Sequence, residues 1–244
     1  MLVSERSVAV TARELTDGTI TARELVAAGA WQDRDDVRAA ARAADERRAA
    51  GSPLPLLGLP VALDASVRDA SSARAAGAVV LGTVRDAIKA LDMGAYAVLG
   101  RPDGTTPSWR PAGARIAVLT RHVADLPLLG PLLGVTTPPA DHLDDLHHLH
   151  HLRIGAQGDD PEVAEAATRL SLAGLRVVDV DRRLTSRLAR LRGADPLAGA
   201  DVLITAAAWP VPLSHAAVTA AGRTFAAPRP TEHVALHLAR ELAR

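Results

Sequence analysis

The chain has 244 residues, 48% of them hydrophobic, and its 28 basic residues balance its 28 acidic residues. This length and composition predict a globular protein with a full core, built as one large α/β domain or as two lobes. The balanced, interspersed charge argues against a nucleic-acid or membrane partner. The absence of cysteine excludes disulfides, thiolate metal sites and a cysteine nucleophile. Because no apolar run spans a bilayer and no signal peptide is visible, we expect a cytoplasmic protein.

The first fifty residues predict helices. Two copies of TAREL, at residues 11–15 and 21–25, have the Thr-x-x-Glu spacing of a capping box, so a helix is expected to start at each. Asp17-Gly18 predicts a turn between them. Residues 35–50 are rich in alanine and carry charges of both signs, which is typical of a solvent-facing helix packed along a thin alanine stripe.

From residue 51 onward the pattern alternates between strand and helix. The apolar run at residues 57–63 has strand length, and a helix is predicted over residues 69–76 before a strand at 78–81. The clearest unit covers residues 152–180, where a strand, a helix opened by Asp160-Pro161-Glu162, and a second strand follow one another. Such a unit predicts a right-handed crossover onto a parallel sheet.

The C-terminal part predicts one more buried strand, at residues 201–205, and a final helix opened by Pro230. In that helix Val234, Leu238 and Leu242 recur at four-residue intervals. The predicted fold class is α/β, with a mixed, mostly parallel sheet flanked by helices on both faces. We expect a single domain over residues 1–244, with a helical region to residue 50 and an α/β core after it.

Several segments carry a family resemblance in a consistent order. They are PLLGLPVALD at residues 55–64, RDASSARAAGAVVLGT at 68–83, LGRPDGTTPSWRPA at 99–112 and DVLITAAAWPVP at 201–212. Together they resemble the amidase signature family, serine hydrolases that cut amides with a Ser, cis-Ser, Lys triad. The resemblance implies a trimmed version of that family's fold.

The resemblance also implies roles for particular residues. It aligns Ser108 with the nucleophilic serine of the family and places Asp103, Gly104 and Arg110 in the same substrate-binding loop. The strand that ends in the family's catalytic lysine ends here in Asp64. The glycine-serine segment that supplies the cis-serine is absent, and the chain is shorter than ordinary members. A degenerate amidase-like protein, a pseudoenzyme, is therefore predicted.

Ser108 and Asp64 each allow two interpretations. A serine hydroxyl attacks only when a neighbouring base takes its proton, and Pro107 removes a backbone donor beside it, so we favour a surface-loop serine over a nucleophile. Asp64 is a base only if burial raises its pKa, and we favour a cap of the turn after the strand. Ser71 and Ser72 are interpreted as helix-surface serines.

Lys89 is the only lysine, so any lysine-dependent chemistry must use it. Its spacing from Asp86 and Asp92 is helical, which predicts a solvated ion-pair partner. No glycine-rich nucleotide motif occurs, and no cofactor is expected.

A histidine-rich run occupies residues 141–152. On a helix, His147 and His151 would share a face, as would Asp144 and His148, and such pairs ligate zinc. No third ligand is fixed by the spacing, so a metal site is not favoured. An alternative is that the clustered imidazoles gain charge below about pH 6.5 and make the segment pH-sensitive.

Three functional hypotheses follow. The leading one is a degenerate amidase-like protein that has lost hydrolysis and acts as a binding or partner subunit, within a homo- or hetero-oligomer and with an amide small molecule as a ligand. The second is a small amide or ester hydrolase that uses Ser108 with a replaced base, such as Asp64, His122 or a histidine of residues 142–151. The third is a structural protein whose trimmed surfaces form an oligomer interface.

Overall fold

The structure, a computed structural model, describes residues 6–135, 149–158, 160–181, 195, 197–206 and 211–243. The chain divides into two compact units: the first is Met1–Pro102 with Ile116–Thr137, and the second is Asp103–Arg115 with Pro138–Arg244. The expected single domain over residues 1–244 stays a prediction. Among the described helices, none combines the length and apolar character needed to cross a membrane.

The secondary structure alternates after an all-helical start. The helices are α1 (Val8–Thr16), α2 (Ala22–Ala28), α3 (Asp35–Ala49), α4 (Ser71–Ala75), α5 (Ala87–Asp92), α6 (Pro161–Leu172) and α7 (Glu232–Leu242). The strands are β1 (Pro60–Asp64), β2 (Val79–Val84), β3 (Ala97–Gly100), β4 (Ser108–Arg110), β5 (Ala117–Leu119), β6 (Arg153–Ala156), β7 (Arg176–Asp179), β8 (Val202–Ala206), β9 (His215–Ala220) and β10 (Arg223–Pro228). In the described part of the chain, 3₁₀ segments include Val123–Leu133 and Arg229–Thr231.

The two TAREL copies occupy different places in their helices. The second copy forms the predicted capping box: the Thr21 hydroxyl accepts from the Glu24 amide, and the Glu24 carboxylate accepts from the Thr21 amide at 2.7 Å. The prediction for the first copy is wrong. There α1 begins one turn earlier, after Ser7, whose hydroxyl accepts from the Val10 amide at 3.3 Å. Thr11 is fully buried inside α1, because the apolar face of the helix continues through it.

The first unit is built on four neighbouring strands in the order β2-β1-β3-β5. The strands β2, β1 and β3 are parallel, and β5 is antiparallel to β3. Helices α2, α3 and α5 pack on one face, where α3 contributes Val37, Ala41 and Ala44, the predicted alanine stripe. Residues that point to the opposite face, such as Val61 and Leu99, are also fully buried.

The second unit orders its strands β4-β9-β10-β8-β6-β7. The predicted strand-helix-strand unit is confirmed as β6, α6 and β7, with β6 and β7 parallel. Asp160 caps α6 by accepting from the Glu162 amide at 2.9 Å, and Pro161 occupies the first turn. In α7, Val234 and Leu238 are buried as predicted, and the helix packs on β9 and β10.

The prediction of a mostly parallel sheet is not confirmed. Antiparallel pairing joins β3 to β5 and links β4, β9, β10 and β8 in succession. The β9–β10 hairpin turns through Ala221 and Gly222, whose φ angles of 47° and 73° belong to a two-residue turn. Both strands are almost wholly buried, so their sequences lack the alternation of polar residues that identifies a hairpin.

Candidate active site

Ser108 is the first residue of β4, where it pairs with Thr219 of β9. It is 1% exposed, and its Oγ forms no hydrogen bond with any residue in the described part of the chain. The interpretation as a surface-loop serine is therefore wrong, because pairing with β9 draws the residue into the interior. A serine nucleophile needs a base within hydrogen-bonding reach, and the described residues supply none.

Asp103 and Gly104 form a tight turn before β4. Asp103 Oδ1 accepts from the amides of Thr105 at 2.8 Å and Thr106 at 2.7 Å, and its Oδ2 accepts from the Thr106 hydroxyl at 2.5 Å. Gly104 has a φ of 85°, which glycine adopts without strain. Burial raises the pKa of Asp103, but the hydrogen bonds from Thr106 and Thr105 outweigh it and leave the pKa below its ordinary value. The Asp103 carboxylate thus stabilises the turn in which it lies.

Arg110 is a buried cation that binds backbone carbonyls. Its guanidinium donates to Ala114 O at 3.2 Å, Val211 O at 3.2 Å and Pro212 O at 3.1 Å. Burial lowers the pKa of Arg110, and the nearby Glu232 carboxylate offsets part of that effect. The side chain therefore ties the end of β4 to the segment that leads into β9.

Glu232 is a half-buried acid that the sequence analysis did not identify. The Trp109 indole N–H donates to Glu232 Oε1 at 2.7 Å, and the Ala112 amide donates to Oε2 at 3.5 Å. Burial is the largest influence and raises the pKa of Glu232 above its usual value, against the opposing effects of these hydrogen bonds and of Arg229. The available sequence signal was an acid in the first turn of a helix opened by Pro230.

A serine and a histidine also meet in the second unit. Ser214 Oγ lies 2.9 Å from His215 Nδ1, and Ser214 is exposed while His215 is partly buried. Burial lowers the pKa of His215, with Asp195 acting in the opposite direction and Arg110 in the same direction. The lowered pKa favours the neutral form of the imidazole. Because Ser214 and His215 are neighbours in the sequence, no spacing pattern predicted the contact between their side chains.

In the first unit Asp64 acts as a cap. Its Oδ1 accepts from the Ser66 amide at 2.8 Å, so the predicted cap of the turn after β1 is confirmed. Hydrogen bonding to Ser66 is the largest influence on the pKa of Asp64 and lowers it. The burial-raised pKa that a catalytic base would need is absent. Gly100 makes room for this side chain, since a Cβ there would lie 2.5 Å from Asp64 Cβ.

The other predicted candidates have local partners or lie on the surface. His122 is exposed and precedes the 3₁₀ segment Val123–Leu133. Ser71 Oγ donates to Asp69 at 2.8 Å, and Ser72 Oγ donates to Leu132 O at 2.6 Å.

Most of the histidine-rich run, residues 141–148, lies outside the described residues. Of the remainder, His150 Nδ1 lies 2.9 Å from Gly174 O and His151 is exposed. Within the described ranges, no three His, Cys, Asp or Glu side chains group closely enough to hold a metal ion.

Comparisons with known proteins support the fold. No protein-family model matches the sequence, and no curated protein matches it. The structure is similar to the crystal structure of an amidase family protein from Bacillus anthracis str. Ames, with a TM-score of 0.67 and 12% sequence identity. The match covers 98% of this chain and 90% of that chain, so the two are close in length. The chain thus has an amidase-like α/β fold, as the resemblance implied.

Proposed function

We propose that this protein is an amidase-like protein without amide hydrolase activity that acts as a binding or partner subunit. One observation carries the proposal: the Ser108 hydroxyl is 1% exposed and has no hydrogen-bond partner among the described residues. Attack on an amide requires the carbonyl carbon to approach within about 3–3.5 Å of the nucleophile. A hydroxyl enclosed by strand pairing, with no base among the described residues to deprotonate it, meets neither requirement.

The residues around Ser108 support the same conclusion. Asp103 accepts hydrogen bonds from the amide and hydroxyl of Thr106, and Arg110 donates to backbone carbonyls of the segment before β9. Asp64 has a lowered pKa and caps a turn. Under the proposal these residues preserve the scaffold. Asp103, Gly104 and Arg110 then contribute to ligand binding only if their loop rearranges.

The proposal includes a trimmed amidase-signature architecture with helices on both faces of the sheet. The ordered motifs support it, since the segment at residues 55–64 contains β1 and the segment at 99–112 contains β4. The position that carries lysine in the family is occupied here by Asp64, at the end of β1. Loss of the lysine, the cis-serine and the glycine-rich segment together supports inactivity.

A homo- or hetero-oligomeric partner role is part of the proposal. It is supported by Val10 and Leu128, apolar side chains that are 46% and 43% exposed on two elements that pack together, α1 and the 3₁₀ segment Val123–Leu133. Light scattering at tens of micromolar should give a mass above that of one chain. If the protein is a monomer and binds no second protein chain, this part of the proposal is refuted.

The test of inactivity is labelling by a serine-directed fluorophosphonate, followed by peptide mass spectrometry. We expect no adduct at Ser108, and no turnover of simple aryl amides. The exposed Ser214 provides the control, because Ser214→Ala should remove any labelling that comes from its contact with His215. An adduct at Ser108, with amide turnover that is lost in Ser108→Ala, would overturn the proposal.

The alternative is a small amide or ester hydrolase, and the similarity to a solved amidase family protein favours it. It would use Ser108 with a base such as Asp64, His122 or a histidine of residues 142–151. The labelling experiment separates the two, because only this alternative predicts a Ser108 adduct.

A further inference from the structure

A cavity of about 400 Å³ lies in the first unit, where the carboxyl end of β2 meets α5. Its apolar wall is formed by Val84 at the end of β2, by Ala90 and Met93 at α5, and by Trp31 from the connection between α2 and α3. β2 runs parallel to β1. Ligands of open α/β sheets bind outside the carboxyl ends of strands, and the cavity lies at that end of β2, the edge strand of this unit.

Backbone contacts hold Trp31 beside α5. The Ala30 amide donates to Met93 O at 3.0 Å. A Cβ on Gly29 would come within 2.9 Å of the same carbonyl, and a Cβ on Gly94 would lie 3.0 Å from Gly29 Cα. The two glycines therefore let the connection touch the end of α5. This close approach places the indole ring in the cavity wall.

The polar groups of the cavity have capacity for a ligand. The Trp31 Nε1–H is buried and donates to no described residue, and an indole nitrogen is only a donor. Arg85 and Lys89 line the cavity, and neither forms an ion pair within the described ranges. The predicted ion pairs of Lys89 are thus wrong: Asp86 Oδ1 instead accepts the Lys89 amide at 2.9 Å as the cap of α5, and Asp92 lies 3.7 Å from the Arg121 guanidinium.

We propose that this cavity is a binding site for an aromatic carboxylate. The ring of the ligand packs on Trp31 and against the thioether of Met93, contacts that aromatic groups favour. The carboxylate accepts from Lys89 and Arg85, because charge-assisted hydrogen bonds are the strongest available there. The cavity lining carries two cations, Arg85 and Lys89, and one carboxylate, Asp86. Its net positive charge favours an anion over a neutral or cationic molecule of the same shape.

The inference gives a ligand class to the binding role proposed above and rests on that role. Its tests involve neither Ser108 nor hydrolysis. A negative result here therefore leaves the proposed inactivity standing, and an active Ser108 would leave this site standing.

The test compares three probes that share a phenyl ring on a three-carbon chain: 3-phenylpropionate, 3-phenylpropanamide and 3-phenylpropylamine. They are anionic, neutral and cationic, respectively. Lys89 is the only lysine, so reductive methylation with ¹³C-formaldehyde, which retains the charge, gives one lysine side-chain NMR signal. We expect 3-phenylpropionate to shift this signal and the amine to leave it unchanged. The carboxylate should also quench tryptophan fluorescence in the natural protein and not in Trp31→Phe.

Variants make the assignment specific. Lys89→Gln should weaken 3-phenylpropionate binding about 10- to 100-fold and change amide binding less than about twofold. The matched control is Arg74→Gln, which removes one exposed positive charge from α4 in the same unit, outside the cavity. Thermal melts verify that each variant is folded. An unshifted Lys89 signal, equal binding of carboxylate and amide, or equal weakening by Arg74→Gln would each overturn the proposal.

Discussion

Ser108→Ala should make the protein more stable. The Ser108 Oγ is buried in β4 and forms no hydrogen bond with a described residue, so folding removes it from water without replacing its hydrogen bonds. An unsatisfied buried hydroxyl costs about 1–3 kcal/mol. Alanine removes that atom and leaves a void of only one oxygen, so the variant should gain about 1 kcal/mol. For a chain of this size, that gain raises the Tm by about 2–4 °C.

The assay is guanidinium unfolding followed by circular dichroism, with thermal melts beside it. The matched control is Thr205→Val in the same unit, because Thr205 is equally buried but its hydroxyl donates to Ala206 O at 3.1 Å. That substitution should destabilise the protein by about 1 kcal/mol. If Ser108→Ala destabilises the protein as much as Thr205→Val does, the Ser108 hydroxyl has a partner and the reasoning about its isolation is refuted.

Three further outcomes follow from the structure. Glu232→Gln should stabilise the protein at pH 7. Because the pKa of Glu232 is raised in the folded protein, protonated Glu232 contributes fully to the free energy of unfolding below the ordinary glutamate pKa of about 4.3. That contribution is lost as pH rises through the folded-state pKa, whereas the glutamine side chain stays neutral. The difference between variant and natural protein in guanidinium titrations should therefore shrink towards pH 4; a constant difference would contradict this. Asp125→Ala should cost about 2–3 kcal/mol and expose α1 to proteases, because the carboxylate accepts from the Val8 amide at 2.9 Å; Asp125→Asn, which keeps an acceptor, should cost less. Gly155→Ala should cost about 1–3 kcal/mol in denaturant unfolding, since its Cβ would lie 2.9 Å from Leu203 and Val180 side-chain atoms, and an unchanged midpoint would show that β6 shifts freely.

Local signals predicted the starts of α2 and α6. Thr21 and Asp160 cap their helices as predicted, because a capping hydrogen bond joins residues two or three positions apart. The same motif at Thr11 failed. There α1 begins earlier because its first amide, at Val8, is satisfied by Asp125, a residue distant in sequence.

The candidate site shows the same division. The resemblance placed Ser108 in the segment that contains β4, yet its burial depends on β9, which lies far along the chain. The contact between Trp109 and Glu232 was equally unpredictable, since an acid in a first helical turn has many possible partners. Lys89 was recognised as unique, but the cavity it lines exists only because Gly29 lets the α2–α3 connection touch α5.

The sequence by itself determined the amidase-like fold, the alternation of strands and helices, the caps of α2 and α6, and the absence of lysine at the end of β1. These properties depend on residue type, period and short-range hydrogen bonds. Only the tertiary structure decided the antiparallel hairpin β9–β10, the enclosure of the Ser108 hydroxyl and the cavity beside Trp31. Each of these depends on contacts between residues far apart in the chain, which burial and shape select and which no local pattern encodes.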